Sequence, residues 1–551
     1  MKTSRLTSFI IVLVILTACQ KSKKEDTLGV QGETNNSEQT DTIPKEIPLA
    51  ERFILVDSRF RPREKAWSNL SEVIAQFTEE NYQRLKPVIL DKSIPEIQQA
   101  VRTGKLTYKE LALFYLYRIQ KNESNSETAI NAIISLNPNI IEEAEKKDKQ
   151  KAKNTSLLYG IPLLIKDNIN TKHMPTTAGA VVLADNITDD AFVVTKLKAQ
   201  GALILGKTNL SEWAYFFCGD CPSGYSAVGG QTLNPYGPRV FDTGGSSSGS
   251  GAAIAANYAV AALGTETSGS ILSPSSQNGL VGLKPTIGLA SRGGIVPISS
   301  TLDTPGPMAK NVIDAAIVLK AMAGEDPKDI ITSGDRSKST YVPIDEKSIQ
   351  GKRFGAINRL KNDSLYLKAT KVLADNGAEI VWYQAPEIDL PDFVRLLNLD
   401  MKKDLPDYMD TYANPKISQK TIMEIMAFNK EDTVLRAPYG QALFEGIQKD
   451  SATLEEFDAL KKILKENGRK FFDQPMQEHR LDAVLSINNY HAGYAAVAHY
   501  PALTVPMGLS PDGEPKGLTF IGKPWTESDL LNYGFVYEKE SQARKSPTLP
   551  K

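Results

Sequence analysis

Residues 241–285, FDTGGSSSGSGAAIAANYAVAALGTETSGSILSPSSQNGLVGLKP, constrain the fold more than any other stretch of the chain. Two knots of glycine and serine, at 244–251 and 267–270, enclose a run of small apolar residues. Side chains this small let a backbone turn sharply and let a ligand or a second backbone come close. A flexible Gly/Ser tether has the same composition over its first residues. The run 252–263 is almost wholly apolar and small, the composition of a core helix, and that rules the tether out. Ser246, Ser247, Ser248 and Ser250 place hydroxyls on the first knot, and Ser270 closes the second.

The N-terminus has a different character. Lys2 and Arg5 precede an apolar run over 9–16, followed by Leu16-Thr17-Ala18-Cys19. A basic start, a short apolar middle and small residues before a cut are the layout of a secretory signal. The run is too short to cross a bilayer as a helix. Residues 19–48 are polar and nearly free of aromatics, so they cannot bury enough surface to fold and are expected to form a disordered tether. A net charge of −1 and the lack of a basic stripe interleaved with aromatics exclude nucleic acid as a partner.

Residues 49–92 carry enough Leu, Ile, Phe and Trp for a helical lead-in. Two capping boxes follow, Ser93-Ile94-Pro95-Glu96 and Thr107-Tyr108-Lys109-Glu110, the second opening a helix with Leu111, Phe114 and Tyr115 at helical spacing. The rhythm then changes. Residues 160–165 (GIPLLI) read as a buried strand ending in Lys166-Asp167-Asn168, 189–200 as a helix closed by Gly201, and 202–205 as another buried strand. Helix, glycine, strand is an α/β signature. Residues 330–480 are charged and helix-forming, and strands return at 481–487, 502–507 and 518–521 before a final helix over 527–542. Sheet material this far apart in sequence points to one large domain closing on itself.

Two motifs match known patterns without their context. GALILGKT at 201–208 fits a P-loop, but its four middle residues are apolar and belong in a strand, whereas a phosphate cradle needs an open loop of inward-facing amides. Gly245-Ser246-Ser247-Ser248-Gly249 fits the nucleophile elbow of α/β-hydrolases, yet no strand precedes it; His479, His491 and His499 keep that reading open by composition alone. Cys218 and Cys221 lie between aromatic and turn residues, where a local disulfide or two free thiols is expected; without nearby histidines they make a poor zinc site.

Lys166 after a buried strand, Ser246 in the first knot and Ser270 in the second form one constellation. With YGIPLLIKDNI, TTAGA at 176–180, LGKTNLSEWA at 205–214, GGSSSGS at 244–250, GTETSGSI with GLVGLKPTIG at 264–288, YPALTVPMG at 500–508 and GLTFIGKPWTE at 517–527, it resembles the amidase signature family of serine hydrolases. The likeness covers roughly 93–545. It implies a large single-domain α/β fold, a mixed twisted β-sheet with helices on both faces, and no metal or organic cofactor. It implies Ser270 as the nucleophile, Ser246, after a cis peptide bond, as a bridge, and Lys166 as the base. A serine hydroxyl is weak until a base removes its proton, and only a desolvated, neutral lysine can serve. The amides of Thr267, Ser268, Gly269 and Ser270 match the family's oxyanion loop. Ser247 stands beside them as a hydrogen-bond support for Lys166 or as a residue that satisfies the turn. Gly179-Ala180, Tyr225, Tyr490, His491 and Tyr494 are candidates for the pocket wall.

The chain departs from the family pattern at two places. Ser248 and Ser268 stand where the pattern has glycine, and the arginine usual after the second knot is absent. The TET-x-GS variant resembles the peptide amidases of the family more than its aminoacyl-tRNA amidotransferase subunits. The N-terminus resembles a bacterial lipoprotein signal, which implies cleavage after residue 18, a lipid on Cys19 and a membrane-anchored, exported protein facing the periplasm or cell surface. The expected substrate is a peptide C-terminal amide or a small amide. An ester or lactam hydrolase on the same site, and a peptide-binding lipoprotein without catalysis, are the alternatives. Nothing in the sequence sets the oligomeric state.

Overall fold

The structure is a computed structural model that describes residues 53, 55–150, 156–334 and 346–548. The signal over 1–18, Cys19 and the tether over 19–48 lie outside the described residues.

Among the described residues, eleven strands form one mixed sheet. In chain order they are β1 (Ile133–Leu136), β2 (Pro162–Lys166), β3 (Leu203–Thr208), β6 (Ala261–Glu266), β7 (Val281–Lys284), β8 (Thr304–Ala309), β9 (Arg353–Ile357), β10 (Glu379–Tyr383), β11 (Ala483–Ile487), β12 (Ala502–Leu509) and β13 (Pro515–Ile521). A separate ribbon pairs β4 (Tyr225–Ser226) with β5 (Gly230–Gln231). The sheet order is β1-β3-β2-β6-β8-β7-β12-β13-β11-β9-β10. Every residue of β2, β3, β6 and β11 is buried, so helices cover both faces of the central strands.

β2 lies between β3 and β6, parallel to both. Leu163 pairs with Ala261 and Ile165 with Leu263, which carries Lys166 at the end of β2 alongside the end of β6. The last six residues of GALILGKT are strand β3, as its apolar middle requires, and its Lys207 points inward to Asp167 at 3.2 Å. No phosphate cradle exists there.

Both capping boxes form, opening helices at Ile94–Arg102 and Tyr108–Glu123. The lead-in packs into the main core: Trp67 and Ile74 belong to it, and Tyr82 stacks on Phe114 at 4.8 Å between ring centroids. The pairing of Asp91 with Arg544 at 3.1 Å then ties its end to the C-terminus.

Two expectations are corrected. The apolar run 252–263 is not one helix. The helix spans Ser248–Ala255, the chain turns at Asn257 with φ +58°, and Ala261 already begins β6. Small apolar residues suit a buried helix and a doubly covered strand equally, so composition could not divide them. The segment 330–480 is also not helical throughout, because β9, almost wholly buried, and β10, the partly exposed edge strand, extend the sheet at its far end.

Candidate active site

Three segments meet at the ends of β2 and β6. Lys166 Nζ, fully buried, donates to Ser246 Oγ at 2.8 Å, Thr265 Oγ1 at 2.8 Å and the Thr265 carbonyl at 3.2 Å. The Gly245–Ser246 peptide bond is cis. A Cβ on Gly245 would stand 2.5 Å from Ser223 Oγ and 2.7 Å from Ser211 Oγ, so the close approach of these loops requires glycine there. The Ser246 carbonyl accepts from the Ser211 amide at 3.0 Å, and Ser211 Oγ accepts from the Gly224 amide at 2.8 Å. The loop after Cys221 is thereby stitched to the first knot.

The second knot leaves β6 at Glu266 and enters a short helix at Leu272–Gln277. The Ser247 amide donates to the Ser270 carbonyl at 3.2 Å, so the two knots are in direct contact. Gly269 has φ +87°, and a Cβ there would come within 3.1 Å of Asn489 Nδ2, which explains the glycine. In the turns and loops of the described residues, no backbone carbonyl accepts from the amides of Thr267 or Ser268. Such amides are the raw material of an oxyanion hole.

Ser247 joins the site through Thr265. Its Oγ donates to the Thr265 carbonyl at 3.1 Å and accepts from the Thr265 amide at 3.3 Å, fastening the first knot to β6. The two departures from glycine differ in consequence. Ser248 Oγ donates to the Gly244 carbonyl at 2.7 Å and tightens the first turn, whereas Ser268 Oγ is buried without a hydrogen-bond partner.

Thr265, Asn168, Glu266 and Asp303 escaped the sequence reading. Asn168 Nδ2 donates to Thr265 Oγ1 at 3.0 Å, so this hydroxyl collects two donors, one from Lys166. Glu266 Oε2 accepts from the amides of Ile271 at 2.8 Å and Leu272 at 3.0 Å. Burial pushes its carboxyl up, against the pull of the Lys284 charge. Asn168 lies two residues after Lys166, and Glu266, the last residue of β6, immediately precedes the second knot. Asp303, held up at about 6 by burial, is far off in sequence and carries no local signal.

A cavity of about 320 Å³ opens beside this network. Asn168, Thr265 and Thr267 form one wall, residues 295–300 with Asp303 another, and Asp404, Asp407 and Tyr408 of the helix Phe393–Thr411 a third. Ser246 and Ser270 do not line it; the cavity meets the site at Thr265 and Thr267. Gly179, Ala180, Tyr225, Tyr490, His491 and Tyr494 do not line it either. His491 is buried and committed to Ser486 Oγ and the Arg359 guanidinium, each at 2.5 Å, and burial with the Arg359 charge pushes it down to about 3. The hydrolase-elbow reading of residues 245–249 therefore loses that histidine as its base.

A large mixed sheet covered by helices, with a buried lysine and two serine knots gathered at its strand ends, defines an enzyme of mixed α/β architecture. A family model described as Amidase matches residues 113–531. The solved structure of an amidase family protein from Bacillus anthracis str. Ames is 39% identical with a TM-score of 0.84, covering 89% of this chain and 98% of that one. Native peptide amidase from Stenotrophomonas maltophilia is 36% identical with a TM-score of 0.78, covering 84% of this chain and 99% of that one. A probable amidase of Arabidopsis thaliana is 34% identical over 482 residues, 83% of this chain and 92% of that protein. The chain belongs to the amidase family and is an amidase, a hydrolase of amide carbon–nitrogen bonds.

Proposed function

We propose that the protein cleaves the terminal carboxamide of amidated peptides, or of small amides, through an acyl-enzyme on Ser270. The observation that carries this reading is the 2.8 Å contact from Lys166 Nζ to Ser246 Oγ, with the second knot bonded to the first through Ser247 and Ser270. As a neutral amine, Lys166 takes the proton of Ser246, which takes that of Ser270 as its Oγ attacks the carbonyl carbon. The amides of residues 267–270 stabilise the oxygen as it becomes negative. The relay then returns the proton to the leaving nitrogen, releasing ammonia or an amine, and water attacks the acyl-enzyme by the same route in reverse. The likeness to a peptide amidase supports the substrate class.

The N-terminal pattern supports an exported lipoprotein anchored through Cys19. A disulfide between Cys218 and Cys221 fits an oxidising compartment.

Ammonia release from amidated peptides, aliphatic and aryl amides and side-chain amides, with Lys166→Ala alongside, tests the reading. Release from amidated peptides, abolished in the variant, is the expected result. Release by Lys166→Ala at the native rate would remove the lysine from the mechanism, and hydrolysis confined to esters would replace the substrate class.

A further inference from the structure

We propose that Asp303 is a positioning residue that holds the oxyanion loop in register through Thr267. This rests on the reading of Ser270 as nucleophile and of residues 267–270 as the oxyanion loop.

Side chains alternate along a strand. At the end of β6, Thr265 and Thr267 face the cavity, while Glu266 is held by the amides of Ile271 and Leu272. The far end of the loop is thus fixed by Glu266, and the Ser270 carbonyl is fixed by the Ser247 amide. The near end has a different anchor. Thr267 Oγ1 donates to Asp303 Oδ1 at 2.6 Å, a short bond of the charge-assisted kind. The second carboxylate oxygen accepts from the amides of Ile298 at 2.8 Å and Ser299 at 3.0 Å. Both oxygens are committed, so the carboxylate joins the first residue of the loop rigidly to the cavity wall. That wall is itself secured, since Ser299 Oγ donates to Asp400 and the Ser300 amide to Asp404, each at 2.5 Å. Displacement of a catalytic group by about 1 Å costs on the order of 100-fold in rate, so loosening this one hydroxyl acts on the transition state before it acts on substrate affinity.

A carboxylate that only capped the turn at 298–303 would be indifferent to Thr267. The test is therefore Thr267→Val, which keeps shape and turn but cuts the link, compared with Thr267→Ser, Asp303→Ala and the Asp303→Ala/Thr267→Val double variant. The readout is ammonia release from a peptide C-terminal amide by each full-length variant, with thermal unfolding to report folding. Thr267→Val is expected to lower kcat by about 10- to 100-fold with KM within about twofold, and Thr267→Ser to recover most of the loss. The double variant is expected to be no slower than the slower single variant. Native kcat in Thr267→Val, or an additive double variant, overturns the proposal while Ser270→Ala remains inactive. Native activity in Ser270→Ala would instead overturn the reading on which it rests.

Discussion

Lys166 Nζ stands 2.8 Å from Ser246 Oγ, and both side chains are completely buried. A lysine in that position has its water replaced by two protein hydroxyls and one carbonyl, all within 3.2 Å. Lys166→Ala and Ser246→Ala are each expected to reduce kcat/KM by at least about 1000-fold, and the double variant by little more, because residues that act as a unit are not additive. Steady-state kinetics of the three variants checks this; a multiplicative loss would separate the two residues.

The Lys207–Asp167 pair at 3.2 Å belongs to the scaffold. Lys207 also donates to the Ile169 carbonyl at 2.6 Å and Thr176 Oγ1 at 2.9 Å, holding the segment after β2 against β3. Burial pushes the Asp167 carboxyl up and the Lys207 ammonium down, each opposed by the partner's charge. Lys207→Met leaves a buried carboxylate unpaired and is expected to destabilise the fold by about 3–5 kcal/mol. Denaturant unfolding measures this, and Lys207→Met with Asp167→Asn is expected to recover part of the loss.

Glu123 is expected to give the fold a pH-dependent stability. Burial raises its carboxyl to about 7, although the amides of Ala132 and Asn131 and the Arg63 charge pull it down. The folded value lies above the unfolded one, so the folded state holds the extra proton. The contribution is complete below the unfolded value of 4.5 and is lost as pH rises through about 7. Glu123→Gln is expected to flatten that part of the stability–pH curve between about pH 4.5 and 7. An unchanged slope in the variant would assign the dependence to other buried carboxyls, such as Glu538.

The Cys218–Cys221 disulfide sits in the loop whose Phe217 ring meets Phe444 at 5.0 Å and whose continuation is bonded to Ser211. Closing so short a loop stabilises by about 2 kcal/mol in the chain-entropy model. Cys218→Ala/Cys221→Ala is expected to lower unfolding stability by about that amount. Thiol titration of native protein should find neither cysteine reactive.

On the proposed lipoprotein reading, Cys19→Ala is expected to abolish incorporation of a labelled fatty acid and to release the protein from the membrane fraction. Full incorporation in the variant would remove Cys19 as the anchor.

Local chemistry was legible in the sequence because its partners are close along the chain. The two capping boxes, the glycines of both knots and the strand of GALILGKT are set by the residues themselves and their immediate neighbours. The motifs around Lys166, Ser246 and Ser270 single them out in the sequence, and folding brings Lys166 to 2.8 Å from Ser246 and the two serine knots into contact. Tertiary structure alone decided where the small apolar run breaks at Asn257, because its residues fit a buried helix or a buried strand equally. It also decided that β9 and β10 join the sheet: β10 is a partly exposed edge with a weak pattern, and β9 finds its place only when β11 pairs with it. Thr265 and Asp303 acquire roles only through contacts made by folding: Lys166 reaches Thr265 when β2 lies beside β6, and Thr267 reaches Asp303 when the chain returns toward β8. Sequence sets which groups can donate and accept; only the packed sheet brings the distant ones within about 3 Å.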